Sequence, residues 1–337
     1  MPIVAEKALE SIARTALEAY DLPSPVTVRL LGLGLNAVYG IHSGDGASPL
    51  VLRIHRPGYR TTQNTRSELY FLQQIAERSI DPMTPRPVPA RDGRLVVEVR
   101  DIETPRHCDL TTWVAGQEYR PGCGLGPRAI QQLGRAIAQV HNVADQLSAA
   151  EVEFPRWDAD GMFTAASPYN PQLSLDEILA PADRATFDEI ADRTRVVYET
   201  LAQHPRTFGV IHGDFILGNC YLRRRPGGWA AGIFDFDDCG WGFYLYDLCP
   251  MLGNLAGLPG AVFGKVSFSS MRRALLDGYR SVRPFPAEWE AYLPVLMAAR
   301  HANHCLLTAG PEVSETPVDD AKWRMEMARR CLELAGR

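Results

Sequence analysis

The chain has 337 residues, 46% of them apolar and 22% charged, with a formal charge of −5 spread along its length. This is an ordinary globular composition. It offers no basic stripe for nucleic acid and is long enough for about two domains. Seven cysteines, at 108, 123, 220, 239, 249, 305 and 331, lack C-x-x-C spacing and scaffold density and so read as thiols in a reducing compartment. The start of the chain lacks the pattern of a secretory signal, and the apolar stretch 244–263 is broken by Asp247, Asn254, prolines and glycines. A soluble, cytoplasmic protein with no membrane partner is expected.

In chain order, residues 4–20 place Leu9, Ile12, Ala13, Ala16, Leu17 and Tyr20 on one face of an amphipathic helix, which Asp21 and Pro23 end. Strands follow over 26–31, 37–42 and 50–55, separated by glycines and by Gly44-Asp45-Gly46. The first turn contains Gly32, Gly34, Asn36 and Gly40. Its glycines would let backbone N–H groups approach a phosphate, although an ordinary hairpin turn explains them equally. The third strand alternates so that Arg53 and His55 share a face, which a solvent-exposed face would also explain. A helix over 61–78 turns Leu69, Leu72 and Ile75 inward and carries Glu68, a residue type that is most often solvated. After a connector with Pro82, Pro85, Pro87 and Pro89, strands over 94–100 and 106–114 complete an antiparallel sheet of about five strands with one helix packed on it.

Beyond residue 118 the pattern turns helical. Pro127 opens a helix to 147 in which Ile130, Leu133, Ile137 and Val140 keep register, and His141 on that face reads as a packed, hydrogen-bonded histidine. A loop over 151–172 and a helix over 182–203 follow. The remainder reads as helices near 269–281, 287–307 and 318–335. His301 and His304 lie three apart on one of these, a spacing that suits metal ligation but without further ligands marks polar surface or cleft groups.

The chemistry is concentrated in Val210-Ile211-His212-Gly213-Asp214-Phe215-Ile216-Leu217-Gly218-Asn219 and in Gly232-Ile233-Phe234-Asp235-Phe236-Asp237-Asp238. Between them, Arg223 to Gly228 carries strong turn signals, so a hairpin brings its flanking acids together. An H-G-D tripeptide alone is most often a turn. The Asp214 to Asn219 spacing, however, matches the H-x-D-x-x-x-x-N loop of kinases, where a carboxylate receives the acceptor hydroxyl's proton and an Asn and an Asp hold Mg²⁺. If 233–237 is a strand, Asp235 and Asp237 share a face and both reach one metal site.

On these motifs the chain resembles the aminoglycoside phosphotransferase and homoserine kinase-like family. The resemblance implies an α+β, bilobal protein-kinase-like fold with a small antiparallel-sheet N-lobe carrying a helix and a larger, mainly helical C-lobe. It implies a nucleotide-binding lobe over 1–113, a hinge over 114–118, and a helical lobe over 119–337 with the catalytic loop and acceptor site. Asp214 would be the catalytic base, Asn219 and Asp235 metal ligands, and Asp237 a possible second carboxylate ligand to the metal. Arg53, where the family commonly has Lys, would hold nucleotide phosphates with Glu68 as its partner, and Gly34 and Asn36 would belong to the nucleotide-covering loop. His212 would brace the loop, and Asp247 would lie buried beneath it, accepting its N–H groups. The implied activity is an ATP- and Mg²⁺-dependent kinase. Only eleven residues separate Asp235 from Asp247, too few for the long activation segment of ordinary protein kinases, which points to a small hydroxylated acceptor such as an aminoglycoside, amino alcohol or sugar. Asp237 and Asp238 would then be able to face the acceptor's hydroxyls or amine. A stress-response protein kinase of this family and a silent nucleotide-binding regulator are the alternatives.

Overall fold

A computed structural model describes residues 3–44, 46, 48–78, 83–100, 104–118, 126–257, 266–310 and 314–334. Asp45, Pro82 and Cys123, singled out above, lie outside these residues. The chain divides into two compact units, one drawn from 1–80, 84–115 and 150–153, the other from 81–83, 116–149 and 154–337.

In the first unit, helix α1 (Ile3–Leu17) precedes strands β1 (Val26–Leu33), β2 (Ala37–Ser43) and β3 (Leu50–Ile54). Helix α2 (Thr62–Glu77) leads to β4 (Val96–Val99) and β5 (Arg106–Thr112). The five strands form an antiparallel sheet in the order β1-β2-β3-β5-β4. Strand alternation divides β3 between two environments. Leu52 and Ile54 pack with Tyr39, Ile41, Cys108 and Leu110 against Ile12, Ala13, Ala16 and Leu17 of α1. Each of the large aliphatic side chains there contributes roughly 1.5–3 kcal/mol relative to exposure. Arg53 and His55 point the other way, toward α2, and are 8% and 4% exposed. A solvent face therefore does not explain their alternation. Thr61 and Asn64 cap α2 reciprocally, each side chain accepting from the other's backbone N–H.

The second unit is mainly helical. It contains β6 (Gln117–Glu118), α3 (Pro127–Ala144), β7 (Arg156–Trp157), α4 (Ala159–Phe163), α5 (Leu175–Ile178), α6 (Pro181–Ala202) and β8 (Phe208–Ile211). Next come β9 (Cys220–Arg225), β10 (Gly228–Ile233), β11 (Gly240–Phe243), α7 (Tyr244–Asp247) and α8 (Cys249–Leu255). The last helices are α9 (Phe268–Arg280), α10 (Leu293–Thr308) and α11 (Pro317–Glu333). The expected hairpin is β9 with β10, and β6 adds to its β9 edge. Strand β11 pairs antiparallel with β8 and parallel with β7. The α+β class and the division into sheet-bearing and helical parts are as the sequence implied.

Three expectations are corrected. The stretch 151–172 is not a plain loop, because it contains β7 and α4, the latter capped by the Asp158 carboxylate on Gly161 N–H. A helix over 287–307 is really a 3₁₀ turn, Ala287–Tyr292, followed by α10, with Pro294 in the first helical turn where a proline costs no internal hydrogen bond. The strand does not continue through 233–237. It stops at Ile233, and Asp235 adopts φ 65°, so alternation cannot place Asp235 and Asp237 on a common face. Among the described residues no helix is long and apolar enough to cross a membrane. The six described cysteines are all buried free thiols.

Helices α3 and α9 meet backbone to backbone. A Cβ on Gly134 would lie 2.0 Å from Leu275 O, and one on Gly278 would lie 2.0 Å from Gln131 O. Neither helix accommodates a methyl group without moving apart. Gly134→Ala is therefore expected to lower unfolding stability by about 1–3 kcal/mol, as other overpacking changes do. An unchanged Tm would show that this crossing is not as close as described.

Candidate active site

The loop after β8 is built around a buried acid. Asp247, with no exposed surface, accepts from His212 N–H at 2.8 Å through Oδ2 and from Gly213 N–H at 2.9 Å through Oδ1. His141 Nε2 lies 2.9 Å from Oδ2, and Tyr279 O–H meets Nδ1 of the same ring at 2.9 Å. Burial would raise the Asp247 carboxyl, but His141, His212 and the loop amide outweigh it and hold it below the usual range. Burial also lowers the His141 imidazole in spite of Asp247. The pair is thus a carboxylate receiving an N–H from a neutral ring.

Gly213 has φ 79°, and a Cβ there would come within 2.3 Å of Asp238 O, so the position admits only glycine without rearrangement. His212 Nδ1 accepts from Asp214 N–H at 3.2 Å, which leaves Nε2–H to donate to Phe234 O at 3.1 Å. The histidine thus braces the loop against the segment after β10. Phe234 N–H completes this attachment by donating to Asn219 O at 3.1 Å.

Asp214 is held from both sides. Asn219 Nδ2 donates to its Oδ2 at 2.8 Å and to its backbone O at 3.0 Å. Arg300 of α10 binds Oδ1 through Nη2 and Gly213 O at 2.9 Å through Nη1. Burial would lower the Arg300 pKa, but Asp214, Tyr169, Tyr246 and Asp238 outweigh it and raise it, so the guanidinium stays charged. Arg300 was missed in the sequence, where its only signal was a polar run at 300, 301, 303 and 304 in an apolar helix.

Of the other expected residues in this unit, Asp235 is exposed and Asp237 is 9% exposed, both in the segment that Phe234 fastens to Asn219. Both hydrogen bonds of the Asn219 amide use Nδ2, leaving Oδ1 as an oxygen donor. An amide oxygen and nearby carboxylates are the donor set that a hard divalent cation takes, so these residues fit Mg²⁺. A cavity of about 240 Å³ lined by Leu201, Tyr244, Tyr279, Arg283 and Trp289 includes none of them.

In the first unit, Arg53 Nη1 pairs with Glu68 Oε1 at 2.7 Å, as the resemblance implied, and both are buried. Arg53 also grips Asp109, its cross-strand neighbour, with Nε at 3.1 Å and Nη2 at 3.0 Å from Oδ2. His55 Nε2 lies 2.5 Å from the same oxygen. Burial would raise the Asp109 carboxyl, but the charge of Arg53 and the bonds from His55 and Arg53 hold it low. The sequence reading missed Asp109, whose signal was an acid within an otherwise buried strand. Gly34 and Asn36 close the β1–β2 turn, Gly34 N–H donating to Asn36 O at 3.0 Å, while Asn36 Oδ1 accepts from Arg56 N–H at 3.1 Å.

His301 and His304, expected as polar surface or cleft groups, are each only 9% exposed and so do not lie on an open surface. Burial, with Arg324 and Arg300, pushes the His301 imidazole down to about 3, and burial with the same two arginines holds His304 well below its ordinary range. His141, His301 and His304 are therefore neutral when folded, whereas unfolded histidines protonate near 6.5. Below that pH the unfolded chain binds more protons, so stability should fall as pH drops from about 7 toward 4, with the low carboxyls of Asp109 and Asp247 adding to the loss in still stronger acid. Urea midpoints should decline over this range and decline less steeply in His304→Gln. A flat profile between pH 7 and 5 would contradict these neutral burials.

The phosphotransferase enzyme family, APH, matches residues 27–293. A homoserine kinase of Methylobacterium radiotolerans is 26% identical, the alignment covering 83% of this chain and 79% of that protein. The structure of a microcompartment-associated aminopropanol kinase superposes with a TM-score of 0.75 at 27% identity, covering 97% of this chain and 98% of that one. The amicoumacin kinase hAmiN, in complex with AMP-PNP, Ca²⁺ and Ami, gives a TM-score of 0.72 at 18% identity, covering 95% and 93%. The chain belongs to the phosphotransferase enzyme family and is a kinase with an alcohol group as acceptor.

Proposed function

We propose that the enzyme transfers the γ-phosphoryl group of ATP, with Mg²⁺, to the hydroxyl of a small molecule such as an amino alcohol, aminoglycoside or sugar. The observation that carries this is the double hold on Asp214. Arg300 and Asn219 fix its carboxylate while each oxygen keeps a lone pair with which to accept the acceptor's O–H. Asp214 then orients the attacking oxygen and receives its proton, a role that depends on placement to a few tenths of an ångström. Asn219 Oδ1 and Asp235 are assigned to Mg²⁺, with Asp237 as a further carboxylate, and the cation neutralises charge on the transferring phosphate when bound. Arg53, kept in place by Glu68 and Asp109, is assigned to the nucleotide phosphates, and Gly34 and Asn36 to the turn that covers them.

Residues 1–113 serve as the nucleotide-binding part, 114–118 as hinge and 119–337 as the part carrying the acceptor site. Support for a small acceptor comes from relatives named for homoserine, aminopropanol and amicoumacin, and for a nucleotide from the AMP-PNP in one of them. Buried free thiols agree with work in the cytoplasm.

Asp214→Asn should reduce turnover about 10²–10⁴-fold while leaving nucleotide affinity nearly unchanged. Calorimetry with ATP and Mg²⁺, beside mass spectrometry of phosphorylated acceptors, separates the two quantities. Nucleotide binding with no transfer to any acceptor would point to a silent regulator, and saturable transfer to protein serine or threonine alone would point to a protein kinase.

Arg53→Ala should raise the KM for ATP and also destabilise the fold by about 3–5 kcal/mol, because Asp109 and Glu68 lose their buried cation. Arg53→Lys, which keeps the charge without the fork, should be milder in both. An unchanged KM and turnover in a folded Arg53→Ala protein would remove Arg53 from the phosphate site.

A further inference from the structure

The cavity of about 240 Å³ in the second unit contains none of the residues assigned to phosphoryl transfer, yet two of its wall rings touch the support of the catalytic loop. It lies where the end of α6, the start of α7 and the segment after α9 meet. Leu201 and Leu248 line it together with the rings of Tyr244, Tyr279, Phe285 and Trp289. Arg206 and Pro284 line it as well and are exposed, so it opens to solvent on their side. An apolar cavity of about 150 Å³ holds a benzene ring, and this one has room for a one- or two-ring molecule. The outer wall is firmly built. Phe285 lies nearly parallel to Trp289 with centroids 6.4 Å apart and is covered at 4.2 Å by Arg280, which Glu290 holds at 2.6 Å.

The cavity also has a polar side. A guanidinium carries five N–H donors. Arg283 uses four of them, Nη1 on Asn142 Oδ1 at 2.9 Å and Asp145 Oδ2 at 2.7 Å, Nη2 on Asp145 Oδ1 at 2.9 Å and Arg206 O at 2.5 Å. The fifth, Nε–H, has no acceptor among the described residues. Arg206 reaches the same Asp145 through Nε at 2.8 Å, and it does so from φ 60°, a left-handed backbone that costs a residue other than glycine. Two arginines thus share one carboxylate here, and Arg272 and Arg280 share Glu290 on the other wall. Both pairings leave positive charge in excess, which favours an anionic acceptor over a neutral one.

The inner wall leads to the catalytic loop. Tyr279 O–H meets His141 Nδ1 at 2.9 Å, and the Tyr244 ring stacks on the same imidazole at 4.3 Å. His141 reaches Asp247, whose oxygens hold the N–H groups of His212 and Gly213. One histidine and one aspartate therefore separate the cavity rings from the loop. A ligand stabilises the arrangement it binds, and the same coupling free energy is felt at both ends.

We infer that this cavity is an effector site for a small aromatic acid, its ring held among Tyr244, Tyr279, Phe285 and Trp289 and its carboxylate by Arg283 Nε–H, and that occupation firms the hold of Asp247 on the catalytic loop. The site is separate from that of the acceptor alcohol and does not depend on which reaction Asp214 serves.

The probes are indole-3-acetate and phenylacetate, each beside its counterpart without the carboxylate, 3-methylindole and toluene. Calorimetry on the full chain should show saturable binding of at least one acid, tighter than its counterpart by about 10–100-fold, the range of a charged hydrogen bond. Trp289→Ala should weaken that binding by about 5–30-fold, as loss of an aromatic anchor does, and so should Phe285→Ala, whose half-buried ring is removed at less risk to the fold. With the acid bound, amide exchange at His212 and Gly213 should slow by about 5-fold or more, while amides of β3 in the other unit keep their rates. Tyr279→Phe keeps the ring and loses the hydroxyl on His141, so binding should persist and the response of the two amides should shrink. Absence of binding by both acids overturns the site, and equal affinity for the counterparts overturns the acid. Binding unchanged in Phe285→Ala and Trp289→Ala lies elsewhere on the chain and overturns the site as well. Binding without a response at His212 and Gly213, or with a response undiminished in Tyr279→Phe, overturns the coupling. Failure to phosphorylate any alcohol bears on the phosphotransferase reading alone, since none of these measurements involves turnover.

Discussion

Much of the second unit's chemistry depends on one buried carboxylate. Asp247 sits at the end of a four-residue helix with no exposed surface, and its two oxygens receive two successive loop amides and an imidazole N–H. An ion so buried is tolerable only because its lone pairs are taken by donors. The consequence reaches Asp214 through short covalent steps. With the amides of His212 and Gly213 fixed, Gly213 takes up its left-handed turn, His212 braces Phe234, and Asp214 is delivered to Arg300 and Asn219.

Arg53 is surrounded by Glu68 and Asp109, with His55 on the same Asp109 oxygen, so its position is over-determined. The fork of its guanidinium reaches two carboxylates at once, which the single ammonium of a lysine would not match.

The parts legible in the sequence were those whose residues lie close together along the chain. His212 to Asn219 is one loop, and the segment with Asp235 follows one hairpin later, so spacing carried the inference. Alternation and helical periodicity recovered the five-strand sheet and the long helices. What escaped depends on distant pairings. Arg300 meets Asp214 from 86 positions away, and Asp109 meets Arg53 only because β5 lies beside β3 in register. The strand expected through Asp237 failed because one residue, Asp235, adopts φ 65°, a backbone choice that alternation does not encode. The burial of the α10 histidines was not legible because their spacing alone does not say that α11 covers that face.

The central claim is that Asp247 templates the catalytic loop, and amide hydrogen exchange at His212 and Gly213 tests it most directly. In Asp247→Asn the side chain keeps one acceptor oxygen and presents an N–H₂ where the second amide needs an acceptor, so one loop amide must lose its partner. The account predicts slow exchange at both amides in the wild-type protein and markedly faster exchange at one or both in the variant, with amides of α6 unaffected. Equal protection of His212 and Gly213 in the two proteins would contradict it.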